Sequence, residues 1–168
     1  NKGKEAAEAC LELLKDDYWN FMDNKIKSKT RLAAIQLVSQ QLINNQDIES
    51  LKKDFDKHYR NTIIENNSDK VQYNVNFLSK LVDFYKTINL QNISEEINIL
   101  IKFDRKFEKW DTTNKAIILV AISELRNSGK EKIKIILNDY IEISKSFVAL
   151  KETKLINSIL DKLINEKK

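Results

Sequence analysis

Residues 138–163 read NDYIEISKSFVALKETKLINSILDKL. Apolar residues recur at three- and four-residue spacing on both sides of SFVAL, so the stretch divides into two helices, about 132–147 and 152–165. Beside the core stripe of the first lies a strip of Lys134, Asn138, Ile141 and Lys145. The second carries Thr153, Lys154, Asn157 and Asp161 in the same way. An asparagine offers both donors and acceptors. At a core margin it can close a gap between helix ends, or it can read the edge of an unstacked base.

Upstream, AIILVAISEL (116–125) is apolar on most faces, which predicts a central helix. Asp111 or Thr112 would cap its start, and Gly129 in NSGKE would end it. Further back, Ser94 before Glu95 and Glu96 reads as another cap, with acids in a first turn that the helix dipole favours. That helix would run to about Phe103, with a short segment on to Trp110. A helix carrying Val71, Val75, Leu78, Leu81, Val82 and Tyr85 would follow a break at NNSD (66–69). Asp47 would cap a helix running to about Ile63, and Leu32, Ile35, Leu37, Val38 and Leu42 define one over 26–43. Residues 3–19 form a helical stretch with an acidic face. No segment alternates with period two for long, and no fixed-period repeat is present. The expectation is an all-α domain, a compact bundle of about seven helices.

Composition agrees. The 168 residues suit one domain, and 42% are hydrophobic, enough to bury a core. Two Gly and no Pro are few for this length, which favours helices joined by polar loops. One Cys (Cys10) and one His (His58) exclude a disulfide framework and leave no usual zinc site and no Cys–His dyad close in sequence. Carboxylates are scattered among lysines. No acid/base pair with a matching nucleophile stands out, and there is no Gly-rich phosphate loop, so the chain reads as no enzyme, with no cofactor and no small-molecule substrate. No apolar run approaches the roughly 20 residues of a membrane span. No signal-peptide pattern opens the chain, so a cytoplasmic location is expected. Trp110, Tyr140 and Phe147 read as core aromatics.

The formal charge is +4. Residues 1–21 carry −2, from three lysines against five carboxylates, which leaves +6 for the remainder. That excess fits an anionic partner. Its focus is KIKSKTR: Lys25, Lys27, Lys29 and Arg31, paired on helix faces at four-residue spacing. Cations at a helix start oppose the dipole, a cost an anion bound there would offset. Composition alone accounts for the cluster as a solvated helix start.

Together these segments resemble the NusB family of bacterial transcription antitermination factors, over about 22–168. NKAIILVAISEL is similar to the family's E-K-A-V/I-L-R-L/I-A-x-Y-E-L. KIILNDYIEISKSF is similar to K-V-x-I-N-E-A-I/V-E-L/I-A-K-x-F, and KLINSILDKL to K-F-V/I-N-G-V/I-L-D-K. Near the start, KSKTRLAAIQLV is similar to R-R-x-A-R-E-x-A-V/L-Q-A-L. The resemblance implies two helical subdomains and no enzymatic activity. It implies pairing with ribosomal protein S10, called NusE in this role. The pair binds single-stranded boxA RNA in ribosomal RNA leaders and helps RNA polymerase, within an antitermination complex, to pass terminators. Lys27, Lys29 and Arg31 stand where the family's arginine-rich patch meets RNA, and Lys25 extends it. Lys154 and Asn157 match K-F-x-N beside the RNA surface, Lys151 adds a cation in the preceding loop, and Asn138 matches the Asn of I-N-E-A. Glu108 and Asn114 mark the region where S10 would be sought by analogy.

Departures are clear. Leu119 replaces an Arg, Ser123 a Tyr, Leu155 a Phe and Ser158 a Gly, and Ser39 stands where an aromatic is common. Lost aromatics remove stacking surfaces, worth roughly 1–3 kcal/mol per base. The expectation is RNA binding that leans more on charge. Two alternatives remain: a helical protein–protein module, and a NusB-like accessory domain of an rRNA methyltransferase, which would need a large catalytic domain. Met22 just ahead of the basic cluster suggests a natural start, with residues 1–21 an extension outside the domain. Residues 1–14 faintly resemble the C-terminal helix of lumazine synthase, as a read-through or fused frame would give. A vector-derived remnant or an ordinary extra helix is also consistent.

Overall fold

The computed structural model describes residues 2–60, 73–101 and 105–165, with side chains excepted at residues 2, 6–23, 59 and 60. Among them are seven α-helices, two 3-10 turns and no strand. The helices are α1 (Lys2–Asn44), α2 (Ile48–Arg60), α3 (Val75–Lys86), α4 (Leu90–Leu100), α5 (Thr112–Arg126), α6 (Ile133–Lys145) and α7 (Leu150–Asn165).

Helix α5 is the axis of the molecule. Ten consecutive residues, Ala116 to Leu125, are buried, as an all-round apolar sequence requires. Helices α1 and α3 cover it on one side, and α6 and α7 on the other. From α1 come Ala33, Ala34, Ile35, Leu37 and Val38; from α3, Leu78, Leu81 and Val82; from α7, Ile156, Ile159, Leu160 and Leu163. Each buried Val, Leu or Ile among them contributes roughly 1.5–3 kcal/mol by leaving water. Leu119 is 2% exposed, so an apolar residue suits that position.

The helix ends explain the boundaries. Asn45 adopts a left-handed φ of 54° and its N–H reaches Gln41 O at 2.8 Å, which stops α1. The expected cap at Asp47 is present: its carboxylate accepts from Ser50 N at 3.3 Å. Asn74 caps α3 by accepting from Phe77 N at 3.0 Å, while its own N–H donates to Thr30 Oγ1 at 2.9 Å. One residue thus starts α3 and pins it to α1. Asp111 caps α5 by accepting from Thr113 N at 3.1 Å.

Several boundaries differ from expectation. Helix α1 runs unbroken from Lys2 to Asn44, so no backbone break marks residue 22. Ser94 is not a cap; it is buried inside α4, which Asn89 starts by accepting from Asn92 N at 3.1 Å. Gly129 does not end α5 in a left-handed turn, since its φ is −66°. Side chains do that work: Asn127 Nδ2 donates to Ser123 O and Ser128 Oγ to Glu124 O, both at 2.7 Å. The NNSD break, Ile63, Val71 and Phe103 lie outside the described residues.

Candidate nucleic-acid interface

Midway along α1, at Ser28 and Arg31, a buried ionic cluster joins the helix to α5 and α6. Arg31 is 7% exposed. Its Nε and Nη2 donate to the two Glu124 oxygens at 2.9 and 2.8 Å, and Nη1 donates to Asp139 Oδ2 at 2.6 Å. Tyr140 Oη donates to Glu124 Oε1 at 2.6 Å, and Ser28 Oγ to Asp139 Oδ1 at 2.6 Å. The guanidinium also lies over the Phe77 ring, 5.3 Å from its centroid. Burial favours losing its proton, but Glu124 and then Asp139 outweigh that and hold it charged. Burial keeps the Tyr140 hydroxyl protonated, with Glu124 adding to the effect.

Arg31 therefore differs from its expected place. It is a clamp joining α1 to α5 and α6, not a cation presented to solvent. Its neighbours along α1 differ in exposure: Lys25 is exposed, while Lys29 and Lys27, the latter one turn before Arg31 on the same face, are half-buried. The clamp through Ser28 and Asp139 lays this lysine row beside α6, where Asn138 is exposed. On α7, Lys151, Lys154 and Asn157 are all exposed at helical spacing. Helix α7 is held to α6 by apolar packing and by Ser144 Oγ, 3.5 Å from Thr153 Oγ1. Helix α6 packs against both α1 and α7.

Phe147 corrects the core expectation: it is 51% exposed in the α6–α7 loop, and Leu150 beside it is 65% exposed. Tyr140 is fully buried and Trp110 half-buried, as expected. Leu155 is half-buried. Lys151 is in the first turn of α7 and not in the loop where it was expected; the loop before it offers one open aromatic face.

Glu108 and Asn114 lie apart from the lysines, near the start of α5. Asn98 accepts from Phe107 N at 2.9 Å and donates to the Glu108 carboxylate at 3.2 Å, fixing the 3-10 turn Phe107–Lys109 on α4. The Glu108 carboxyl is held below its usual range by its own backbone N–H first, and by Asn98 and nearby lysines. Asn114 Oδ1 is buried without a hydrogen-bond partner, at a cleft of about 190 Å³ lined also by Arg105, Trp110 and Glu152.

Among the described residues no cluster of His, Cys, Asp and Glu could hold a metal ion, and no helix is long and apolar enough to cross a membrane. Asp139 and Glu124 carry no local signal as partners of α1, because they lie 111 and 93 residues from Ser28 and Arg31 along the chain.

A family model described as NusB family matches residues 28–165, from Ser28 within α1, after Lys25 and Lys27, to the end of α7. The chain belongs to the NusB family. Curated NusB relatives agree. It is 28% identical over 138 residues to the transcription antitermination protein NusB of Colwellia psychrerythraea, covering 82% of this chain and 91% of that one. The Rickettsia bellii protein of the same name is 29% identical over 149 residues, covering 86% and 95%. That of Blochmanniella floridana is 32% identical over 109 residues, covering 63% and 78%. The NusB match begins inside α1, just before Thr30 and Arg31, the first buried residues described on that helix.

Proposed function

We propose that this NusB-family protein is a transcription antitermination factor that binds boxA-type single-stranded RNA of ribosomal RNA leaders together with ribosomal protein S10. It acts there within an RNA polymerase antitermination complex. The observation that supports this best is the α1 lysine row, Lys25, Lys27 and Lys29, held against α6 by the Ser28–Asp139 and Arg31–Asp139 bonds, with Lys151 and Lys154 exposed on α7, which packs on the same helix. Phosphates run along Lys25, Lys27, Lys29, Lys151 and Lys154. Asn138 and Asn157 lie between and beside them for base edges, and Phe147 supplies a stacking face.

Five phosphate contacts to single-stranded RNA give a salt slope of about −3.5, or roughly a 130-fold affinity loss from 50 to 200 mM salt. Binding of that kind is strongly salt-sensitive and poorly selective alone. A protein partner that extends the RNA surface is a physical need, and S10 meets it. The S10 contact is assigned to the region of Glu108 and Asn114, where an unpartnered buried acceptor lines an open cleft.

Filter binding of a boxA-like RNA, with and without S10, tests the reading. Binding that tightens when S10 is added supports it. No binding at low ionic strength with S10 present removes it, and leaves a helical protein–protein module.

A further inference from the structure

Beside the lysine row is a cleft of about 340 Å³ between α1, α3 and the α5–α6 connection. Its volume falls in the range of small-molecule sites. Phe77 and Phe84, both half-buried, supply apolar wall, and Arg31 supplies a guanidinium plane. The bonds of Arg31 to Glu124 and Asp139 use three of its five N–H groups, so each terminal nitrogen keeps an N–H for an acceptor. Lys27, Lys80 and Lys132 stand on the lining from three different elements. Lys27, Phe77 and Lys80 also line the adjoining cleft of about 430 Å³, so these three side chains stand at the boundary of both. Glu131 in the first cleft and Asp83 in the second are the opposing carboxylates beyond the Arg31 clamp.

An aromatic wall, a guanidinium with donors to spare and a cationic rim are what an unstacked nucleotide needs: a ring to stack on, donors for base oxygens, cations for phosphate. We propose that this cleft is a nucleotide pocket that receives one base of the bound single-stranded RNA. Phe77 stacks on the base, and Lys80 and Lys132 hold the flanking phosphates. The inference rests on the RNA reading above and extends its surface from α1 across to α3. A free nucleotide shares the chemistry, so both ligands enter the test.

The experiment is fluorescence anisotropy with a labelled boxA-like RNA and S10, on variants with unchanged circular dichroism. Phe77→Leu keeps the apolar volume and removes the ring; it weakens binding by about 5- to 150-fold. Lys80→Glu and Lys132→Glu weaken binding and make the salt slope shallower by about 0.7 each. Glu131→Gln removes a repelling charge and tightens binding, a gain no misfolded protein shows. Lys53→Glu, exposed on α2, serves as the control and leaves the slope in place. RNA binding that survives in all four cleft variants, yet falls in Lys25/Lys29→Ala, overturns the pocket and leaves the proposed function standing. A wild type that ignores RNA overturns both. A nucleoside monophosphate that binds at the cleft while RNA affinity ignores the cleft variants also overturns it, in favour of a free nucleotide.

Discussion

Arg31 and Glu124, 93 residues apart, meet through two parallel hydrogen bonds of 2.9 and 2.8 Å at the contact of α1 with α5. Both side chains are under 10% exposed. The pair ties α1 to α5 from inside the fold, with the guanidinium turned away from solvent.

Removing one partner leaves the other charged and buried. Glu124→Ala, which also strands the Tyr140 hydroxyl, is expected to cost about 3–5 kcal/mol in chemical denaturation. Arg31→Met falls in the same range, while the double variant Arg31→Met/Glu124→Ala costs much less than the sum of the singles. Additive losses would show that the two do not act as a pair.

The cap at Asn74 joins two helices, so it should matter more than an isolated cap. Asn74→Ala removes the acceptor for Phe77 N and is expected to cost about 1 kcal/mol. Thr30→Val strands the Asn74 N–H on the other side of the same junction and is expected to cost about 1–3 kcal/mol. Urea denaturation of the two singles and the double reads whether the junction is one unit.

Burial pushes the Tyr85 hydroxyl up to about 12, against an ordinary value of about 10. Between those two pH values the unfolded chain releases a proton that the folded chain keeps. Stability is therefore whole below about pH 10 and falls above it, by up to about 1.4 kcal/mol per pH unit for this group. Tyr85→Phe should flatten the fall. It should also cost about 1 kcal/mol at neutral pH, because Gln41 Oε1 loses its donor at 2.7 Å. An unchanged alkaline slope would assign the fall to other groups, Tyr140 first.

Residues 1–21 are proposed to lie outside the functional domain. The NusB match starts at residue 28 and the described α1 core residues begin at Thr30. Deleting 1–21 should leave the melting temperature and RNA affinity unchanged. A marked fall in melting temperature would show that this part of α1 packs on the domain.

The fold was legible where periodicity is strong. AIILVAISEL announced a buried helix, and Asp47 and Asp111 announced caps, because these signals are local. Ser94 differs from expectation because Asn89, five residues earlier, caps the helix, which leaves Ser94 inside α4, buried with Ile93 and Ile97. At the site, charge spacing found the lysine row but could not separate Arg31 from it. The difference comes from Glu124 and Asp139, brought across the fold by tertiary packing, and from a fork geometry that suits arginine for buried pairing. Phe147 was misread for the opposite reason: its spacing fits a core stripe, but α6 ends at Lys145 and the ring follows the loop outward.

The most direct test is the salt dependence of boxA-like RNA binding, with S10 present, for wild type, Lys25/Lys27/Lys29→Ala and Arg31→Met. If solvent-facing lysines carry the phosphates, the triple variant shows a slope shallower by about 2. Arg31→Met, measured below its lowered melting point, keeps the wild-type slope. A slope lost in Arg31→Met and kept in the lysine triple would contradict the clamp and the surface built on it.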